Sequence, residues 1–235
     1  MLHRLLYGLT LLLLTTTALA EPLTVVTLPE SSYNKIGIPL IEELYRQVGV
    51  EVATLAVPAP RQAMMLSQQK VDAIIVYPEG LERTQAEFIR LPVPITAVRL
   101  RLFTSRDDLE WPLPAGLTLG VLRGIIDNDA RAALPNDLSF VAINNPKQMM
   151  RMVDRQRLDL VLLPYTEGLG IINDSGLTNT HAIGPVLAEV PVYHYLHQRH
   201  QHLVAPLTAV LEDWTASGYL ESIHRNFRLE LEAAL

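Results

Sequence analysis

Apolar and polar positions along the chain follow two periods, which switch from segment to segment. Residues 23–28 (Leu-Thr-Val-Val-Thr-Leu) are β-rich and read as an opening strand. Over 36–47 the apolar side chains fall at Ile36, Leu40, Ile41, Leu44 and Tyr45, the spacing of one helix face. Residues 50–57 alternate toward a second strand, 60–69 read as a helix, and Ala73-Ile74-Ile75-Val76 reads as a buried strand. The pattern then restarts, with strand 117–122, helix 127–134 and strand 138–143. Asn145 as N-cap and Pro146 at the first helical position open the next helix, and strand 158–163 follows it. Strands alternating with helices predict parallel pairing with helices on the sheet faces.

Two stretches resemble each other. Ala59-Pro60-Arg61-Gln62-Ala63-Met64 matches Asn145-Pro146-Lys147-Gln148-Met149-Met150. Val71-Asp72-Ala73-Ile74-Ile75-Val76 matches Leu158-Asp159-Leu160-Val161-Leu162-Leu163, with Glu79-Gly80 and Glu167-Gly168 next in line. One inserted residue in each gap reconciles the spacings, and the match reads as one supersecondary unit used once per half. A long β-rich segment follows each unit, at 93–104 and 186–196, long enough to pass from one half into the other. Terminal helices over 203–217 and 219–231 are expected to return to the first half. The fold class is therefore α/β: two α/β lobes joined by two crossing hinge strands. Lobe I takes 21–98 and 194–235, and lobe II takes 99–193.

Composition narrows the setting. His3 and Arg4, an apolar run over 5–14 and Ala18-Leu19-Ala20 form the pattern of a cleaved secretory signal peptide, so residues 1–20 are set aside from the fold. That apolar run is short for a membrane span, which takes about 20 residues. The formal net charge of −6 argues against nucleic acid or an anionic membrane as partner. The chain has no cysteine. Its stability must then come from core burial, and a lipid anchor on an N-terminal cysteine is excluded. A freely diffusing, monomeric protein of the periplasm is expected.

The order of motifs resembles the family 3 extracellular solute-binding proteins, the polar amino-acid receptors of ABC importers. The likeness runs over essentially the whole chain after residue 20. It rests on Arg61 with Val71-Asp72, Glu82-Arg83 followed by Phe88 and Pro92, and Leu119-Gly120-Val121-Leu122-Arg123-Gly124. Arg157-Leu158-Asp159 and the tail with Gly218-Tyr219 and Ile223 complete it. The resemblance implies a periplasmic-binding-protein-like fold that closes on a small-molecule ligand, with a membrane permease or a sensor as partner. It also implies that Arg83 grips a ligand carboxylate, which a planar guanidinium fork suits. The alternative for Arg83 is a solvated loop residue or an ion pair with Glu79 or Glu82.

Three positions depart from the family pattern. Pro164 stands where an aspartate holds the ammonium of an amino acid, Gly124-Ile125-Ile126 lacks the usual threonine hydroxyls, and Tyr77-Pro78-Glu79-Gly80-Leu81 replaces a Ser/Thr-rich loop. An anionic or aromatic solute, or a degenerate site, fits these departures better than a standard α-amino acid. Ligands of open α/β sheets sit beyond the carboxyl ends of the strands. The candidate binding residues there are Ser31, Tyr33, Tyr77, Glu79, Arg83, Arg123, Ile125 and Tyr165. Tyr33 can stack on a planar ligand. The amides around Ile125 and the charge of Arg123 can hold an anion, unless Asp127 or Asp129 caps that helix instead. Arg61 either reaches the cleft or lies on a solvated face.

No cofactor, metal site or catalytic residue is expected. His194, His197, His200 and His202 have neither strand-face nor i, i+4 spacing, so they read as a strand running into a polar helix start. Met64, Met65, Met149, Met150 and Met152 read as core filler. No nucleophile elbow, zinc-protease motif or phosphate-binding glycine loop occurs. One enzyme class shares this fold, the secreted cyclohexadienyl (prephenate or arogenate) dehydratases, and in that alternative Glu79 or Glu167 would act as general acid.

Overall fold

The computed structural model describes residues 21–122 and 131–235. In chain order the first half runs β1 (Leu23–Thr27), α1 (Asn34–Gln47), β2 (Val52–Ala56), α2 (Ala59–Ser67) and β3 (Ala73–Pro78). A 3₁₀ turn (Leu81–Arg83) leads into the long strand β4 (Phe88–Thr104). The second half has β5 (Thr118–Leu122), β6 (Ser139–Ile143), α3 (Pro146–Asp154), β7 (Leu160–Pro164), α4 (Tyr165–Ser175) and the long strand β8 (His181–His197). A second 3₁₀ segment (Gln198–Leu203), α5 (Val204–Ala216) and α6 (Tyr219–Ala233) end the chain. Half of the helix expected at 127–134, residues 127–130, lies outside the described residues. Asn145 caps α3 as its sequence predicts, its Oδ1 accepting from the Gln148 N–H at 2.9 Å.

The strand order is β2-β1-β3-β8-β4-β7-β5-β6. β1 pairs parallel with β2 and β3, and β5 pairs parallel with β6 and β7. Between these groups β4 and β8 run antiparallel, in register from Phe88 opposite His197 to Thr104 opposite His181. β8 borders the first group through β3 and β4 the second through β7, and each packs side chains in both halves, Tyr195 and Ile183 from β8, Phe88 and Leu102 from β4. Their ladder slips between Arg90 and Thr96, around Pro92 and Pro94, which have no N–H to donate, and again between Leu100 and Leu102.

Strand alternation gives the sheet two buried faces in each lobe. In lobe I, Val25 packs with Leu40, Ile41, Leu44 and Tyr45 of α1 and Leu207, Leu211 and Trp214 of α5. Val26 packs on the other face with Leu66 of α2, Ile74, Phe88 and Tyr195. In lobe II, Leu119 and Val121 pack with Leu102, Leu160 and Leu162, while Phe103, Val161 and Leu163 pack under Met149, Met150 and Val153 of α3 and Leu169 and Ile172 of α4. Met65 and Met152 are partly buried against these cores, but Met64 is half exposed and is not core filler. The terminal helices also divide. α5 returns to lobe I as expected, whereas α6 places Leu220 in the lobe I core and Phe227 and Leu231 in the lobe II core. α6 is therefore a strap across both.

The internal repeat has a physical counterpart. Gln69 and Gln156 both take a left-handed backbone (φ 55° and 52°), three residues before Asp72 and Asp159. Asp72 accepts from the Thr24 N–H (2.8 Å), from Arg199 Nη2 (2.6 Å) and Nε (2.9 Å), and lies 2.6 Å from His200 Nε2. Asp159 accepts from the Thr118 N–H and hydroxyl (2.8 Å each) and from Arg106 Nη1 (2.6 Å). Arg199 and Arg106 each stand two residues beyond the end of a hinge strand. Each lobe therefore has the same clasp: an aspartate at the start of its inner strand ties the first strand of the lobe to the arriving hinge strand. The two left-handed turns and the two aspartates share one register, so no inserted residue is needed between helix and strand. The register ends there, because Glu79 lies in a loop and Glu167 in a helix.

His194 is fully buried in β8. Its Nδ1–H donates to the Ile75 carbonyl at 3.1 Å, so Nε2 is the acceptor for the Tyr45 hydroxyl at 2.8 Å. Burial drives its pKa down to about 4, against backbone carbonyls that favour charge. The unfolded chain takes up a proton near pH 6.5, and the folded chain only near 4, so stability falls as pH drops through that window. We expect this group alone to remove about 2 kcal/mol between pH 7 and pH 5. Urea midpoints across that range check it, and His194→Gln should flatten the slope; an unaltered slope would assign it to another group.

Candidate functional site

The loop from β1 to α1 brings Ser31, Ser32 and Tyr33 to the carboxyl end of lobe I. Opposite it, β7 runs straight into α4, so Tyr165 and Glu167 stand in the first helical turn at the carboxyl end of lobe II. The two sides touch. Ser31 Oγ–H and the Ser32 N–H both donate to Glu167 Oε2, at 3.1 and 3.0 Å. Burial raises the Glu167 carboxyl above its ordinary value, although Ser32, Ser31 and Lys147 favour its charged form.

Tyr33 stacks on His224 of α6 (centroids 5.8 Å apart, planes at 12°) and donates its hydroxyl to Nε2 at 3.1 Å. The His224 Nδ1–H is held by the Leu220 carbonyl at 2.6 Å, which fixes the neutral tautomer. Burial lowers the pKa of His224 and raises that of Tyr33, so both stay uncharged. The face that sequence assigned to a planar ligand is occupied here by an imidazole. Tyr165 stacks on Phe103 at 6.3 Å with the Arg101 guanidinium 5.0 Å over its ring. Tyr33 and Tyr165 also line a cavity of about 400 Å³, closed by hinge residues Pro94–Arg99 and by His224, Phe227 and Arg228 of α6. The cations at its wall lie near acids, Arg99 with Glu189 at 2.8 Å, Arg225 with Glu221 at 3.5 Å and Arg228 with Glu232 at 3.9 Å, but the buried Nε of Arg228 has no hydrogen bond among the described residues.

Tyr77, Glu79 and Arg83 lie elsewhere, at the end of β3, and do not line that cavity. Tyr77 is exposed and meets Tyr195 edge-on at 6.4 Å. Glu79 pairs with Arg90 at 3.5 Å, and Arg90 in turn lies 4.3 Å over the Tyr193 ring. Glu82 accepts from the Gly80 N–H (3.2 Å) and the Tyr195 hydroxyl (2.9 Å). Both carboxylates beside Arg83 are thus engaged by other groups. The Arg83 side chain is exposed and has no hydrogen bond or ion pair with any described residue. It folds back over Gly80, whose left-handed backbone (φ 106°) keeps the turn tight. Arg123 and Ile125 lie outside the described residues, and Arg61 is exposed on α2.

Among the described residues no group of three or more His, Cys, Asp or Glu is placed to hold a metal. His194, His197 and His200 serve Tyr45, the Arg199 N–H and Asp72 instead. Sequence reading missed His224 as the partner of Tyr33: it lies 191 positions away, on a helix whose pattern marks nothing special.

Superposition on solved structures covers nearly the whole described chain. A histidine kinase sensor domain with similarity to periplasmic binding proteins matches with a TM-score of 0.71 at 18% identity, over 88% of this chain and 96% of that one. The fold is that of a periplasmic binding protein. A probable amino-acid ABC transporter extracellular-binding protein from Bacillus subtilis gives 0.71 at 15% identity, over 88% and 97%. An amino acid ABC transporter substrate-binding protein from Streptococcus pneumoniae, bound to L-arginine, gives 0.69 at 14% identity, over 89% and 95%. No family model and no curated protein matches the sequence. These periplasmic binding proteins thus share the two-lobed architecture at identities that carry no residue-level inference. Among the described residues no helix is long and apolar enough to cross a membrane.

Proposed function

We propose that this chain is an exported periplasmic solute-binding protein, cleaved after Ala20, that captures a small carboxylated solute between lobes 21–98 with 194–235 and 99–193. The first of these boundaries lies inside β4, where its pairing with β8 is regular, and the second inside β8, beside the slip between Tyr193 and Tyr195. Arg83 is the anchor, with Tyr77 beside it as the flat wall. What supports this reading is the state of Arg83: an exposed guanidinium whose two neighbouring carboxylates are committed to Arg90, Gly80 and Tyr195. A free fork of donors at a strand end of this fold suits a carboxylate. Of the cations around the 400 Å³ cavity, Arg99 and Arg225 have carboxylate partners, while Arg228 Nε is buried without a hydrogen bond among the described residues and is the rival anchor there. Delivery to an importer permease is the default output. The sensory alternative draws on the histidine kinase sensor domain that shares the fold.

The binding reading is favoured over the dehydratase because Glu167, the buried acid such chemistry would use, is held by Ser31 and Ser32. Native mass spectrometry of freshly purified protein, followed by thermal shift against a panel of amino acids, dicarboxylates and aromatic carboxylates, tests the proposal. The expected result is a bound or stabilising carboxylate. Stabilisation by amines or sugars alone would overturn the anchor, and turnover of prephenate would overturn the binding role.

A further inference from the structure

We propose that Glu167 is a latch that keeps one edge of the cleft shut when no solute is present. The proposal does not depend on which solute the protein binds.

The seam between the loop before α1 and helix α4 is built as a contact between halves. One carboxylate oxygen of Glu167 receives two donors from the opposite lobe, the Ser32 N–H at 3.0 Å and the Ser31 hydroxyl at 3.1 Å. The Ser32 side chain, itself buried, rests against the bare Cα of Gly170 one turn further along α4, where any Cβ would collide with it. Ile36 of α1 packs into the lobe II core. Lys147 of α3 meets Glu30 at 3.5 Å, and Lys35 meets Asp174 at 3.8 Å, so both flanks of the seam carry opposite charges across it.

These features act together. A hydrogen bond to a charged acceptor contributes more than a neutral one, and a buried donor left without its acceptor is costly. Opening the seam would take Ile36 out of the lobe II core and exchange the two hydrogen bonds to Glu167 for bonds to water. The seam therefore favours contact of the lobes in the solute-free chain. Tyr77, Glu79 and Arg83 take no part in it. The latched edge is the α1–α4 edge.

The test uses the full chain, refolded from guanidinium chloride to remove any bound solute, and hydrogen–deuterium exchange. In the wild type the amides of 30–36 should be protected. Glu167→Ala should accelerate their exchange about tenfold, and solution scattering should report a larger radius of gyration. Gly170→Ala leaves the carboxylate in place and improves α4 as a helix, yet it wedges the seam and should give the same two changes. This second variant keeps the test decisive should the first fold poorly. A role confined to lobe II would alter exchange in 165–175 and leave 30–36 as in the wild type. That outcome, or an unprotected 30–36 in the wild type, overturns the latch.

Discussion

Arg83→Ala should abolish solute-dependent stabilisation while leaving the melting temperature of the solute-free protein almost unchanged. A solute present at 100 times its dissociation constant stabilises a binding protein by about 2.7 kcal/mol, and that whole increment is what the variant should lose. The solute-free protein should not notice, because Arg83 has no ion pair with a described residue and lies in an exposed turn. Arg83→Lys keeps the charge but not the planar fork, and should fall between the two. Thermal melts with and without the solute found by mass spectrometry make the comparison. A full shift retained in Arg83→Ala would remove this residue from the site.

Breaking a clasp should have the opposite signature, a large loss of stability that no solute selects. Asp72 is mostly buried and meets four donor groups from β1, Arg199 and His200. Asp72→Ala leaves the Thr24 amide and the partly exposed Arg199 without this acceptor, and should cost about 1–3 kcal/mol. The lower end is expected, since Arg199 retains the Gln69 and Val71 carbonyls at 2.9 Å. Burial alone would raise the Asp72 carboxyl, but the Thr24 amide, His200 and Arg199 outweigh it and the net shift is downward. The clasp is therefore fully present above the ordinary carboxylate range and is lost as pH falls below about 4. That places it beneath the His194 window, so acid unfolding should show two separable slopes. Asp72→Asn should reduce only the lower one, leaving the part that Asp159, shifted downward in the same way, contributes, as read from chemical denaturation at stepped pH.

Much of this architecture is legible in the sequence because helix and strand periods are binary patterns, and these carried β1, α1, β3 and β7 close to their observed ends. The hinge strands were harder to delimit. β4 begins at Phe88 and β8 at His181, earlier than the β-rich cores at 93 and 186, because Pro92, Pro94, Gly184 and Pro185 interrupt the composition without ending the strand. Partner choice was not legible at all. Whether Arg83 pairs with Glu79 or Glu82 depends on where Arg90 and Tyr195 arrive, and those positions are set by the hinge register. The ring that covers Tyr33 comes from a terminal helix that only tertiary packing assigns to both lobes.

The two clasps close in different orders along the chain. Arg106 precedes Asp159, so the second lobe has both halves of its clasp as soon as Asp159 has been synthesised. Arg199 follows Asp72 by well over a hundred residues, so the first lobe must wait for almost the entire polypeptide to emerge. The half encoded first is the half locked last. A chain translocated as an unfolded thread would thus carry an unclasped leading lobe until its trailing end is across.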